Sequence, residues 1–401
     1  MASRLLLTDI GQLVCATGPA GSGEQSLGLA SQQAVLSEDG IILRVGNVEE
    51  EWVDRARATA TVVSAEGSCV VPGFVDSHTH LIHGGDRLAE FIARMSGEPY
   101  HAGGIMKTVA LTREASDDEL RHDLGLRVRE SLEAGTTTIE VKTGYGLSVE
   151  QEVRLARIAR EYTDQVTFLG AHVVPAEWQG DPDGYVDLVT TKMLEAVVPY
   201  CRFVDVFYEQ GACDADQARR VLAAGAARGL IPTIHASQLS VGQGAAIARE
   251  LSAASLSHGT FLTEEDWDLL ADTDTVVTVL PGTEFATRQP YPDAAAMMAR
   301  GVTVTLASNC NPGSGYSSSM PLMIALAVRE MGMSPADALW SATKGGAQAL
   351  RLDDRGVIAP GMRADFVQLR APHYGYLAYR PGASLIRRVI RAGVIEVENA
   401  W

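Results

Sequence analysis

The order of apolar and polar positions changes character near residue 67. Before it, Arg4–Thr8, Ala34–Ser37 and Ile41–Val45 are short apolar or alternating runs. Polar and glycine-rich stretches such as Gly18–Gln25 separate them, a pattern of strands and turns. From Cys69 onward, β-branched runs of strand length alternate with helix-length segments. The predicted strands are Cys69–Val75, Thr136–Val141, Val166–Gly170, Phe203–Phe207, Ile231–Ile234, Ala254–Ser257, Thr275–Leu280 and Val302–Ala307. Helical patterns lie between most of them, for example at Asp117–Ala134, Val149–Tyr162 and Asp214–Arg228, and Ser148 with Gln151 has the spacing of a capping box. Gly135, Gly229 and Gly301 each stand where a helix needs a left-handed terminator before the next strand.

This alternation predicts an α/β protein whose centre is a (β/α)8 TIM-like barrel. A doubly wound open sheet is the runner-up, but no GxGxxG follows the first strand. After a helical stretch at Pro335–Leu350, strand character returns at Asp365–Leu369 and Ser384–Arg391. Neither chain end supplies a complete sheet. A small composite β-sandwich domain built from residues 1–66 and 353–401 is therefore expected beside a barrel at 67–352.

Composition narrows the function. Of the 401 residues, 46% are hydrophobic and 21% charged, enough apolar surface for an ordinary globular core. The net charge of −17 repels phosphate backbones and anionic membranes, so neither nucleic acid nor membrane is an expected partner. The apolar run Leu5–Leu7 is too short for a signal peptide, and no 18-residue apolar stretch follows, so a cytoplasmic location is expected. The five cysteines show no CxxC spacing, and Cys310 has no evident base partner, which disfavours a thiolate metal site and a cysteine nucleophile.

The sharpest local signal is Asp76-Ser77-His78-Thr79-His80, ending an apolar strand. Residues two apart on a strand project together, as two imidazole ligands of one metal must. Later strand ends supply Glu140, Lys142 and Tyr145, then His172, then His235 and Gln238, then His258, then Asn309 and Asn311. Any one of these histidines alone would pass for a hydrogen-bonded core residue. Five of the nine histidines lying just past predicted strands, at the mouth where barrel active sites sit, argue for convergence. His83, His122 and His373 carry less weight, and His101 could line a site from a loop.

These residues, with Lys142–Leu147, Asn311–Gly313 and Gly361–Phe366, resemble the amidohydrolase superfamily and, within it, the imidazolonepropionase family of histidine degradation. The resembling segments span nearly the whole chain in family order. The resemblance implies one Zn2+ or Fe3+ ion and hydrolysis of the ring C–N amide bond of 4-imidazolone-5-propanoate to N-formimino-L-glutamate. It implies a small-molecule substrate with a propionate tail, and a homodimer. By position, His78, His80 and His235 match metal ligands, and His258 matches a catalytic histidine. Arg87, Tyr145 and His172 match substrate contacts, Gln238 matches a residue facing the ring, and Asn311, Gly313 and Ser314 match contacts to substrate or product. A guanidinium such as that of Arg87 can grip a carboxylate in two places, though a surface ion pair to Asp86 or Glu90 is the plainer reading.

One position departs from the family pattern. Asn309 stands where an Asp ordinarily ligates the metal and takes the proton of the attacking water. An amide offers a carbonyl oxygen but no base, and losing a positioned base costs roughly 10²–10⁴ in rate. Three readings follow: another base serves, His258 being the best candidate; activity is weak; or the pocket only binds. A ring deaminase, or another hydrolase of cyclic amides or amidines, is the alternative within the same frame of ligands.

Overall fold

The computed structural model describes residues 3–97 and 104–400. The chain divides into two compact units, one of residues 1–76, 130–138 and 319–401, the other of residues 77–129 and 139–318.

In the first unit, alternation along the strands produces two stacked sheets. A four-stranded sheet runs in the order Ile41–Asn47, Gln33–Glu38, Arg4–Ile10, Thr61–Ser64. A six-stranded sheet runs Val394–Glu398, Ile386–Arg391, Phe366–Leu369, Cys69–Pro72, Gln12–Val14, Leu29–Ala30. Strands from both chain ends thus complete one sheet, as the sequence pattern predicts. Leu5 and Leu7 join Val35 and Val63 against Leu13, Val70, Phe366 and Ile390, while Leu6 turns the other way onto Trp52 and Val53. The period of two places three consecutive leucines in two different cores.

The second unit holds a parallel sheet of seven strands: β1 (Val141–Lys142), β2 (Val166–Ala171), β3 (Phe203–Tyr208), β4 (Ile231–Ala236), β5 (Ser255–His258), β6 (Val276–Val279) and β7 (Val304–Leu306). Segment 77–80 bridges the two ends of this curled sheet. Lys142 donates its amide to the Thr79 carbonyl, Asn309 donates to His78, and His80 donates to Cys310, each at 3.0 Å. The polar ends of all these strands consequently face one mouth.

Three local expectations are refined. The strand predicted at Cys69–Val75 breaks at Gly73, because Cys69–Pro72 pairs with Phe366–Leu369 whereas Phe74–Asp76 pairs with Thr136–Ile139. Ser148 accepts a bond from the Gln151 amide, but the reciprocal half of the capping box is missing; the Gln151 side chain instead accepts from Arg154 at 3.0 Å. The stretch Pro335–Leu350 is helical but contains a wide π turn at Ser341–Gly345. The three terminating glycines stand as expected, at φ of +99°, +84° and +90°. No helix among the described residues is long and apolar enough to cross a membrane.

Candidate active site

The imidazoles of His78, His80 and His235 converge, all three buried, with their ligating nitrogens within 4.8 Å of one another. Thr79 points away between the two histidines of the strand end, and its amide is held by Glu140 Oε2 at 2.9 Å. His78 Nδ1 lies 2.8 Å from Ser257 Oγ on β5, which leaves Nε2 buried and without a partner. His235 Nε2 faces His80 Nε2 at 3.3 Å. Two imidazole nitrogens on one tetrahedral ion, each at the usual ~2.0–2.1 Å, stand about 3.3 Å apart, so the donor set fits a metal ion.

A buried ionic chain fixes His235 from behind. Asp205, in the middle of β3, sets Oδ2 3.1 Å from His235 Nδ1 and 2.9 Å from Lys142 Nζ. Lys142 in turn lies 2.9 Å from Glu140 Oε1. A carboxylate 3.1 Å from Nδ1 draws the ring proton to that nitrogen and leaves the lone pair of His235 on Nε2, facing the cluster. Burial works against the Asp205 charge, but His235 and Lys142 outweigh it and hold the carboxyl well below its ordinary range. Burial likewise opposes the charge on Lys142, yet Asp205 and Glu140 keep its pKa above the ordinary lysine value.

Burial, reinforced by neighbouring positive groups, drives the pKa values of His78, His80 and His258 well down, so these rings are neutral near pH 7. His258 ends β5 at φ +78°, with its ring centroid 5.6 Å from that of His235 and Nδ1 buried without a partner. Its neutrality suits a group that takes a proton. Asn309, at φ +49°, donates Nδ2 to Thr283 Oγ1 at 2.8 Å and leaves Oδ1 buried and unpartnered. Ser237, beside Gln238, adopts φ +56°. Three strand ends of the mouth therefore hold non-glycine residues in left-handed backbone, a conformation sustained only where surroundings enforce it.

The expected substrate contacts gather beside this cluster. His172 stacks on His80 at 5.5 Å between centroids, and Tyr145 lies 5.4 Å from His172. Burial takes His172 down to a pKa of about 4. Arg87 makes the ion pair to Glu90 that the plainer reading gave it, with Nε and Nη2 2.8 and 2.6 Å from one carboxylate oxygen, but the guanidinium is buried rather than on the surface. It lies between two glycines: a Cβ on Gly104 or Gly313 would come within 1.9 or 2.1 Å of its terminal nitrogens. Its charge is also felt at His172. The Asn311 side chain is committed to its own loop, accepting from the Gly313 and Ser314 amides at 2.8 Å and donating to the Asn309 carbonyl at 2.6 Å. Gln238 is anchored through its amide, 2.5 Å from Glu209 Oε1.

Of the remaining histidines, His122 is exposed on its helix and His373 stacks on Tyr374 in the other unit, whereas His101 lies outside the described residues. His83 is buried against Tyr145, with a pKa taken down to about 3 by burial and Arg127. Sequence reasoning missed Asp205, although a lone aspartate amid the apolar run Phe203–Tyr208 was a visible signal. It also missed Glu152, Glu209 and Glu284. All the cysteines among the described residues are free thiols, and burial pushes Cys213 up to about 12, far from a nucleophile.

Comparison with known proteins identifies the family. Residues 69–393 match the Amidohydrolase family. An imidazolonepropionase of Streptomyces griseus is 54% identical over 387 residues, covering 96% of this chain and 98% of the relative. One from Streptomyces coelicolor is 52% identical over 398 residues, covering 99% and 100%. Among solved structures, guanine deaminase of E. coli superposes with a TM-score of 0.73 at 16% identity, covering 99% of this chain and 100% of that one. A mutant atrazine chlorohydrolase of Arthrobacter aurescens TC1, solved with zinc, gives 0.72 at 15%, covering 98% and 95%. These two likenesses speak for the fold alone: an α/β (β/α)8 barrel with an added β-rich domain. By sequence, fold and histidine cluster, the chain belongs to the amidohydrolase family and stands among its imidazolonepropionases.

Proposed function

We propose that this enzyme hydrolyses the ring C–N amide bond of 4-imidazolone-5-propanoate, giving N-formimino-L-glutamate in histidine degradation. The observation that carries the reading is one buried mouth holding three imidazoles beside a buried guanidinium, in a chain about half identical to imidazolonepropionases along nearly its whole length. Ring deamination has no comparable support, since the deaminases it resembles share only the fold.

His78, His80 and His235 would hold one metal ion, with Asn309 Oδ1 as the neutral oxygen donor. Zn2+ and Fe3+ are the candidates, and a donor set without charge of its own favours the divalent ion. When bound, such an ion acidifies water and polarises a carbonyl. The amide of Asn309 holds its rotamer through Thr283 and cannot take a proton. His258, neutral and with Nδ1 unpartnered, accepts the proton of the attacking water and returns it to the departing ring nitrogen. Arg87 receives the propionate tail, Tyr145 and His172 orient the ring, and Gln238 hydrogen-bonds its edge. The loop Asn311–Ser314 closes the site, with Gly313 giving Arg87 its room and Ser314 Oγ at hand for product.

The test is turnover of freshly prepared 4-imidazolone-5-propanoate with metal content measured on the same sample. Turnover together with about one ion per chain is expected. Absence of turnover in metal-loaded protein and in Asn309→Asp alike would overturn the substrate assignment.

A further inference from the structure

The loop that presents Tyr145 has an unusual anchor. Glu152 lies in the first turns of the helix Val149–Arg160, where a glutamate would ordinarily face water, yet it is fully buried. Its Oε1 accepts the amides of Gly146 and Leu147 at 2.8 Å each, and Oε2 accepts that of Gly144 at 3.1 Å. Three consecutive-loop amides can aim at one carboxylate only because the loop bends through left-handed backbone, at φ +104° for Gly144 and +53° for Leu147. The loop is then passed on to the site twice. Tyr145 sits between two of the bound amides, and the Gly144 carbonyl lies 3.0 Å from His172 Nδ1. From the opposite side, Arg113 donates to the Gly146 carbonyl at 2.7 Å.

We infer that Glu152 is a positioning residue for substrate binding: its carboxylate sets the loop Gly144–Leu147, and through that loop the places of the Tyr145 and His172 rings. Glu152 touches neither substrate nor the imidazole cluster. The inference rests on the proposed function for its kinetic consequence, while its structural half stands independently. A carboxylate suits the task because it accepts several N–H bonds at once, whereas a glutamine presents one oxygen and an NH2 that opposes an amide donor. With three of its amides already held, the loop is ordered before substrate arrives, so the cost of ordering it is met during folding.

The experiment compares Glu152→Gln with Glu150→Gln, a neighbouring exposed control, in the metal-loaded enzyme. Amide hydrogen exchange of the peptide spanning 143–148 is expected to quicken at least about tenfold in Glu152→Gln, with strand Val166–Ala171 unchanged. KM is expected to rise about tenfold while kcat moves less than about threefold, the signature of lost binding shared by ground and transition states. In a Tyr145→Phe background the same substitution is expected to raise KM by less than it does in the wild-type enzyme, since the part of its effect that acts through the Tyr145 hydroxyl is already lost. Gly146→Ala gives a second route if Glu152→Gln fails to fold: its Cβ would stand 2.8 Å from Glu152 Oε1 and from the backbone at Gln151 and Glu152, pushing the loop off its anchor, with the same paired effects expected. Unaltered exchange at 143–148 would overturn the anchoring. Faster exchange with unchanged KM, or KM effects that multiply fully with Tyr145→Phe, would overturn its service to substrate. Failure of the wild-type enzyme to turn over 4-imidazolone-5-propanoate is a separate result that removes the proposed function and leaves exchange to decide the anchoring.

Discussion

Replacing Asp205 by asparagine tests the ionic chain behind the imidazole cluster. The substitution is nearly isosteric, but the fully buried Oδ2 now serves two donors, Lys142 Nζ at 2.9 Å and His235 Nδ1 at 3.1 Å. An asparagine has one oxygen: placed where Oδ2 stands, it leaves the NH2 against the Val206 amide, which donates to Oδ1 at 2.8 Å, and placed the other way it turns the NH2 on both Lys142 and His235. In either rotamer a donor is left facing a donor, and Lys142 and His235 lose the charge beside them. For the metal site, losing the acceptor that fixes a ligating histidine costs about 10–100-fold in affinity, or about 1.4–2.7 kcal/mol. For stability, removing one member of a buried charge set costs about 3–5 kcal/mol. Lys142 keeps Glu140 at 2.9 Å, which places the loss at the lower end of that range, about 3 kcal/mol.

Metal affinity measured by chelator competition, alongside urea unfolding of the metal-free protein, separates the two effects. Lys142→Met supplies the contrast. It removes the competitor and leaves Asp205 wholly to His235, so stability falls while metal affinity holds or rises. Affinity in Asp205→Asn within about threefold of wild type would refute the argument that Asp205 sets the His235 tautomer. Equal affinity losses in both variants would show that the chain acts only by general packing.

Other perturbations probe the remaining charges. Arg87→Met should raise KM for the propionate-bearing substrate by about 10–100-fold, the worth of a charge-assisted pair, and leave a tail-less ring analogue unaffected in a KM comparison. Asn309→Asp should tighten metal binding and add an acidic limb to the pH profile of kcat/KM; an unchanged profile would mean that this side chain does not face the reacting water. Glu284 is buried, with its pKa raised by burial from 4.5 to about 7, so the folded state binds the extra proton and stability falls as pH rises between those values. Glu284→Gln should accordingly stabilise the protein at pH 8 by on the order of 3 kcal/mol and have no such effect near pH 4.5; equal urea-unfolding differences at both pH values would sink the assignment.

The cluster was legible because its chemistry coincides with simple periodicity. His78 and His80 are two apart on a strand, and His235 and His258 end apolar runs whose length marks them as strands. Lys142 and Glu140 were visible together at one strand end, two residues apart, but Asp205 was not, since it comes from a different strand. Asp205 sits between valines in Phe203–Tyr208, where the apolar run on either side already labels the strand as buried; a charge there demands a partner that sequence does not name. Glu152 was hidden by the opposite circumstance. In a charged helical stretch it reads as one more solvated glutamate, and the left-handed turn at Gly144 and Leu147 brings amides to it. Arg87 makes the local pair to Glu90 that its neighbours in sequence suggest, but it makes that pair buried, in room left by Gly104 and by Gly313, which lies far away in sequence.

The same geometry explains how the site accommodates an amide at position 309. The residue adopts φ +49°, a left-handed conformation that Asn and Asp enter more readily than other side chains, so either fits the backbone. Its hydrogen-bond partners, Thr283 Oγ1 and the more distant Ser314 Oγ at 3.5 Å, are hydroxyls, which donate to a carboxylate as readily as they accept from an amide. Backbone and hydroxyl partners thus accept either side chain at position 309, and the two differ chiefly in charge. With Asn309, the carboxylate nearest the imidazoles is Asp205, reached through His235 and shared with Lys142. Negative charge then acts on a bound ion through a ring rather than by contact. That arrangement weakens attraction most for a trivalent ion and, under the proposed function, leaves proton acceptance to His258, whose basicity burial has lowered. Metal preference and the acid limb of the pH profile should therefore change together in Asn309→Asp, since both follow from one missing charge.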